Sequence, residues 1–317
     1  MLRVFLVLLV ALLSVGVWAQ FSPRPGVFVI NRLFSLSDTG EVKGMTASGV
    51  TGRTDLAYGT GADEVLDVWS PEDQTKPLPA IVWVHGGAWI GGDKSQPAPY
   101  LRLLAQHGYV GIGIDYSLAP DHHYPMPLRQ LGDALRYVQE NAAELGVDPD
   151  RIVLAGDSAG AQIAGQYAAI VTNPQYASEV GLEPALAPAQ LRGTLLHCGP
   201  YDPAMVMNSG GAGGWFVRTV GWAYLGTKDF TDPRVKQASV VDHATAAYPP
   251  TLLSGGDDDP LTEQGRAFAK RLQDLGVQNE PYFFPGLGHE FQFELTRPQS
   301  REVLDASIAF LGHLGQM

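Results

Sequence analysis

A chain of 317 residues, 45% of them apolar, has enough material for one large α/β core or two small ones and shows no sign of disorder. Its formal net charge of −12, with no cluster of Lys or Arg, argues against a nucleic-acid partner and against polyanionic substrates. Cys198 is the only cysteine, so no disulfide can form within the chain and the core must hold the fold without staples.

Residues 1–19 open Met-Leu-Arg, run apolar from Val4 to Leu13 and close on Val17-Trp18-Ala19, the layout of a signal peptide cleaved after Ala19. A retained amino-terminal anchor is the alternative, although the run is short for a span of roughly 20 residues. The expected location is secreted or periplasmic, with no stable membrane insertion once the leader is gone. Residues 20–53 form an amino-terminal extension in which only 27–34 suggests an element, a short helix or strand lying over the body. The main domain is expected over 54–317. It begins with strands at 54–58 and 65–69, split by Gly59-Thr60-Gly61-Ala62-Asp63 as in a hairpin at a sheet edge.

From there strand and helix alternate: strand 80–84, helix 99–107, strand 109–115, and a long helix 127–145 with Leu128, Leu131, Leu135 and Val138 on one stripe. Strand 152–155 and helix 159–170 follow, then strands 191–198 and 250–254, helix 261–275, strand 281–284 and a closing helix 301–314. Such alternation implies an α/β fold with a mostly parallel sheet covered on both faces. The segment 199–248 is too long for an ordinary connection. Its Ser209-Gly210-Gly211-Ala212-Gly213-Gly214, followed by Trp215, Phe216, Trp222 and Tyr224, reads as a lid over a pocket, or else as the core of a small excursion.

Between strand 152–155 and its helix lies Gly156-Asp157-Ser158-Ala159-Gly160, the Gly-x-Ser-x-Gly of a nucleophile elbow. A serine hydroxyl needs a base to take its proton and an acid to orient that base. His289, in a glycine-rich loop after strand 281–284, fits the base. Among Asp257, Asp258 and Asp259 the acid is expected to be Asp259, fixed as a helix cap before Pro260. His85-Gly86-Gly87-Ala88 after strand 80–84 supplies small residues where an oxyanion hole is needed: Gly86, Gly87 and Ala88, joined by Ala159 after the nucleophile. Trp89 and the aromatics Trp215, Phe216, Trp222 and Tyr224 are the expected pocket walls.

From about residue 54 onward these motifs resemble the hormone-sensitive-lipase-like branch of the α/β-hydrolase esterases, and related feruloyl and acetylxylan esterases. The likeness rests on His85-Gly86-Gly87-Ala88-Trp89, on Tyr116-Ser117-Leu118-Ala119-Pro120-Asp121 through Pro125, on the Ser158 elbow, on Asp259-Pro260-Leu261 and on Gly288-His289. It implies an α/β-hydrolase fold, a Ser158, Asp259, His289 triad, and a small-molecule or polymer-borne ester as substrate. No metal and no organic cofactor is expected. Two departures stand out: Ala88 replaces a glycine, and the segment before the main domain is shorter than the family's usual amino-terminal cap. Competing readings are an arylformamidase-like amide hydrolase and a non-catalytic binding module on the same fold.

Overall fold

The computed structural model describes residues 16–36, 42–207 and 211–315. Most of the expected signal segment, residues 1–15, and Ser209 and Gly210 of the glycine stretch lie outside the described residues.

Eight strands make one sheet in the order β1-β2-β4-β3-β5-β6-β7-β8. β1 (Val50–Ala57) and β2 (Val65–Pro71) are the antiparallel edge, and β3 (Leu78–Val84), β4 (Val110–Ile114), β5 (Val147–Asp157), β6 (Leu191–His197), β7 (Thr251–Gly256) and β8 (Asn279–Phe284) run parallel. Side chains alternate across β3: Ala80, Val82 and Val84 join the core on one face, and Ile81 and Trp83 join the core on the other. This alternation explains why the central strands read as continuous apolar runs, since both faces are dry. One face is covered by α3 (Met126–Glu140), α4 (Ala159–Thr172) and α6 (Thr262–Asp274), the other by α2 (Ala98–Gln106) and α7 (Pro298–Leu314). The mostly parallel sheet with helices on both faces is the architecture expected from the sequence.

Local details depart from it. The helix expected over 127–145 breaks at Asn141, whose backbone (φ −107°, ψ 15°) is not helical, and a separate turn covers Ala142–Leu145. The connection 173–190 holds a short helix, Pro174–Val180, whose Asn173 side chain accepts from the Tyr176 N–H at 3.1 Å. Within the extension Arg24–Phe34 form a helix, α1, while its last residues, from Val50, already belong to β1, so the sheet begins before the expected boundary at residue 54. Helix α1 buries Val27 and Ile30 against the lid helix α5 (Gly211–Leu225), with Phe34 edge-on to Phe216 at 6.1 Å. Beneath the lid, the fully buried Gln162 and Gln166 of α4 reach the Ala238 and Gln237 carbonyls and the Tyr124 and Tyr176 hydroxyls. Every polar atom at this seam that lacked a partner would cost free energy, so the network fixes the lid's base to the nucleophile helix.

Candidate active site

Parallel strands in register bring their carboxyl ends to one edge: Val84 pairs with Gly156, Asp157 with His197, and His197 with Ser254. The chain turns sharply after each, and these turns carry the site. Ser158 sits at φ 51°, ψ −123°, a conformation rarely adopted by residues with a side chain, with its N–H bonded to the His197 carbonyl at 2.9 Å. Both flanking glycines are required by contact. A Cβ at Gly156 would stand 2.6 Å from the Gly160 carbonyl carbon, and one at Gly160 would stand 2.5 Å from the His85 carbonyl oxygen.

His289 Nε2 lies 3.0 Å from Ser158 Oγ, and its Nδ1 lies 2.7 Å from Asp259 Oδ2. The structure thus brings the three expected triad residues together, with Asp259 buried and the His289 side chain 34% exposed where it lines the pocket. Asp259 is not held as the helix cap its place before Pro260 suggests. Helix α6 begins at Thr262, and Asp259 Oδ1 accepts from the Leu261 N–H at 2.9 Å in a local turn, leaving Oδ2 for the imidazole. Asp258 is exposed, and Asp257 pairs with Arg266 at the surface.

Three neighbours of the triad were not found from the sequence. Asp157 is buried beside the nucleophile, with Oδ1 accepting from the Trp83 indole N–H at 2.7 Å. Burial, and then the Glu290 carboxylate, push its pKa up to about 8, so it carries its proton at neutral pH. Glu290, at φ 58°, turns its Oε1 to 3.8 Å from His289 Nε2. Cys198, at φ 45°, is buried against His289. Burial lowers the basicity of His289, but Cys198, the hydrogen bond it donates to Asp259 and the charge of Glu290 outweigh it and leave the pKa well above the ordinary value. Burial likewise pushes the Cys198 thiol up, with His289 acting against that rise. Cys198, Asp259 and His289 donor atoms lie within 4.8 Å of one another, a set a soft metal ion could use, but Asp259 and His289 already serve each other and Ser158.

The loop after β3 makes the opposite wall. Gly87 (φ 102°), Ala88 (φ 53°) and Trp89 (φ 60°) are all left-handed, and a Cβ at Gly87 would stand 2.5 Å from the Gly91 carbonyl carbon. His85 anchors the loop: it is buried, donates from Nδ1 to the Gly86 carbonyl at 2.7 Å and stacks on Tyr116 at 4.4 Å. Burial lowers its pKa to about 4, so it stays neutral. Further along, Lys94 Nζ meets Asp55 at 2.7 Å, Asp67 at 3.3 Å and Asp115 at 3.6 Å, tying the loop to the sheet edge. The Gly86 N–H is directed at the Asp157 carboxyl, which sets it apart from Gly87, Ala88 and Ala159, all of which line the cavity.

That cavity, about 430 Å³, contains Ser158, Asp259 and His289. Of the five aromatic walls expected, Trp89 and Phe216 line it, and Trp215, Trp222 and Tyr224 do not. Helical phase is the reason. Gly213, Gly214, Val217, Val220 and Gly221 occupy the inward stripe of α5, which puts Trp215 and Trp222 elsewhere; Trp215 is 43% exposed and Trp222 lies under Lys228. Tyr224 is buried behind the wall, stacked on Trp89 at 4.5 Å. Phe34, from the end of α1, is a wall the sequence reading missed.

A doubly covered parallel sheet with a strained serine turn, a histidine and a carboxylate at its carboxyl edge defines an α/β-hydrolase. Residues 81–293 match the family described as alpha/beta hydrolase fold, and the chain belongs to it. It is 30% identical to the esterase LipQ of Mycobacterium tuberculosis strain H37Rv over 82% of this chain and 62% of that protein. With the carboxylesterase NlhH of Mycobacterium tuberculosis strain CDC 1551 it shares 30% identity over 81% of this chain and 80% of that one. The chain spans about six tenths of the length of LipQ and of the esterase LipC, at 62% and 60%. In three dimensions it resembles esterase B from Lactobacillus rhamnosus, with a TM-score of 0.76 at 21% identity over 96% of this chain and 95% of the other. The resemblance to hormone-sensitive-lipase-like esterases read from the motifs is borne out at the level of family and fold.

Proposed function

We propose that the protein is a serine carboxylesterase, exported from the cytoplasm, that hydrolyses short-chain or aryl carboxylic esters through an acyl-enzyme on Ser158. The observation that carries this is the unbroken relay from Ser158 Oγ to His289 Nε2 at 3.0 Å and from His289 Nδ1 to Asp259 at 2.7 Å, inside a largely apolar cavity. Support also comes from the names of relatives such as LipQ and NlhH.

In this mechanism His289 takes the Ser158 proton as Oγ adds to the ester carbonyl, and Asp259 holds the imidazolium that results. The N–H groups of Gly87, Ala88 and Ala159 face the new oxyanion. Collapse expels the alcohol with the proton from His289, and water, activated by the same imidazole, releases the acid. Glu290 adds negative charge 3.8 Å from the nitrogen that becomes protonated. The small side chains of the α5 stripe leave room beside Ser158, with Phe34 and Phe216 as apolar walls, which favours compact acyl groups.

A test compares p-nitrophenyl ester hydrolysis, hydrolysis of a matched formanilide, and labelling by an alkyl phosphonate. The proposal expects ester turnover well above amide turnover and one phosphonate adduct per chain, lost in Ser158→Ala. Faster formanilide cleavage would make it an amide hydrolase, and an unlabelled, inert protein would make it a binding module.

A further inference from the structure

Ten large hydrophobic side chains stand exposed among the described residues, and nine of them, all but Met45, belong to residues 17–36 or to Met205 and Trp215 of the lid. Phe21 is 77% exposed, Phe28 63% and Leu33 58%. Helix α1 buries Val27 and Ile30 on the lid yet presents Phe28, Val29 and Leu33 outward, so it is apolar on two sides where a surface helix needs one. The same elements wall the cavity through Phe34 and Phe216, so the apolar face lies beside the cavity.

The charge on this face is opposite to that of the whole molecule. Residues 17–36 contain Arg24 and Arg32 and no acidic residue, and Arg218 is the only charged residue of α5, within a chain of net charge −12. Arg32 lies 5.4 Å over the Phe28 ring, and Lys228 lies 6.0 Å from Phe21 and 5.4 Å from Trp222. Arg24 is paired with the exposed Asp121 at 2.6 Å, so the cations interleaved with the exposed aromatics are Arg32 and Lys228, and this mixture matches a bilayer interface, where rings sit among the acyl carbonyls and cations reach the phosphates. A second copy fits less well, because a twofold pairing of this face would set cations against cations with no acid on either helix to meet them.

We propose that the face formed by α1, the residues before it and the lid tip docks on the surface of a phospholipid bilayer, with the cavity beside the lipid. The apolar run Val4 to Leu13 precedes this face directly in sequence. Cleavage after Ala19 would leave Phe21, Phe28, Val29, Leu33 and Trp215 in place, so docking does not depend on that run.

The test is flotation of the full chain with vesicles of phosphatidylcholine, alone or mixed with phosphatidylglycerol. The wild type is expected to float with both, more strongly with the mixture, and Phe28→Ser/Leu33→Ser to float at least about tenfold less while hydrolysing a soluble ester as before. Phe21→Ser/Trp215→Ser is the second variant and is expected to lose flotation likewise, should the first fail to fold. Wild-type protein that does not float would overturn the proposal, and so would folded variants that float as well as wild type, since residues 1–15 would then be doing the binding. Sedimentation showing a dimer broken by the same substitutions, without flotation, would assign the face to a second copy instead. Flotation needs no turnover, so its failure leaves the esterase reading untouched.

Discussion

Removing the charge of Glu290 should move the acid side of the pH–activity profile downward. Its Oε1 lies 3.8 Å from His289 Nε2, and the Glu290 side chain is 11% exposed against 34% for the histidine. A pair at that distance interacts by about 1 kcal/mol in water and about 4 kcal/mol at an effective dielectric constant of 20. A site open on one side falls toward the lower figure, about 1–2 kcal/mol, or roughly one pH unit. The direction follows from the chemistry: the neutral imidazole is the base, and a nearby carboxylate favours the cation, so it raises the pKa. Wild-type kcat/KM should therefore fall on the acid side with a midpoint above pH 6.5, because the environment of His289 raises its pKa. Glu290→Gln should lower that midpoint, but incompletely. Burial and then Glu290 hold Asp157 protonated, so losing the Glu290 charge lowers the Asp157 pKa and lets its charge near His289 offset part of the loss. The double variant Asp157→Asn/Glu290→Gln removes both charges and should show the full shift of roughly one unit. The assay is kcat/KM for p-nitrophenyl acetate across the acid limb for wild type, both single variants and the double. An unmoved or higher midpoint in the double variant would refute the reasoning.

Ser158→Ala should cost up to roughly a million-fold in kcat and His289→Ala nearly as much, with circular dichroism unchanged, because the relay acts as a unit. Asp259→Asn should cost on the order of 10⁴-fold, whereas Asp257→Asn and Asp258→Asn should stay near wild type in the same assay, since neither aspartate reaches the imidazole. With p-nitrophenyl esters of graded length, kcat/KM should rise across roughly the first four to six acyl carbons, by up to about 0.8 kcal/mol per methylene, and fall for palmitate; a maximum at octanoate or beyond would mean the cavity opens into a long groove.

The triad was legible because each member sits in a short local pattern at a strand end: glycines around Ser158, three aspartates after β7, a glycine-rich loop before His289. What surrounds it was not, because those contacts cross the chain. Asp157 and Glu290 interact only once β5 and the loop after β8 meet at one edge, and nothing in either segment marks the partner. The pocket was misread for a different reason. Counting aromatics in 199–248 ignored helical phase, and the cavity is lined by glycines and valines seven and eight residues apart, such as Gly213, Val220 and Gly221, while Trp215 and Trp222 share the heptad spacing of another stripe. Helix α1 is hard to place from sequence because the apolar residues it buries, Val27 and Ile30, are outnumbered by the apolar Phe28, Val29 and Leu33 it exposes, so apolarity alone does not mark its inner face.

The backbone shows why the site needs so much surrounding structure. Six non-glycine residues among those described have positive φ, and five of them, Ala88, Trp89, Ser158, Cys198 and Glu290, follow the carboxyl ends of β3, β5, β6 and β8 at the site. Each such conformation costs of order 1–3 kcal/mol and persists only where neighbours over-determine it. The neighbours here are the ladder from β3 through β8, which fixes where each strand ends, and the close glycine contacts of the elbow, which leave the chain one way to turn. The strain has a chemical consequence at each place. At Ser158 it lifts the hydroxyl to His289; at Ala88 and Trp89 it turns the loop so that Gly87 and Ala88 face the cavity. At Glu290 it brings the carboxylate back on the histidine one residue before it. A substitution that relaxes one of these turns should therefore stabilise the fold while moving a charge or a donor away from the reacting atoms, which is the direction in which stability and activity oppose each other at this edge of the sheet.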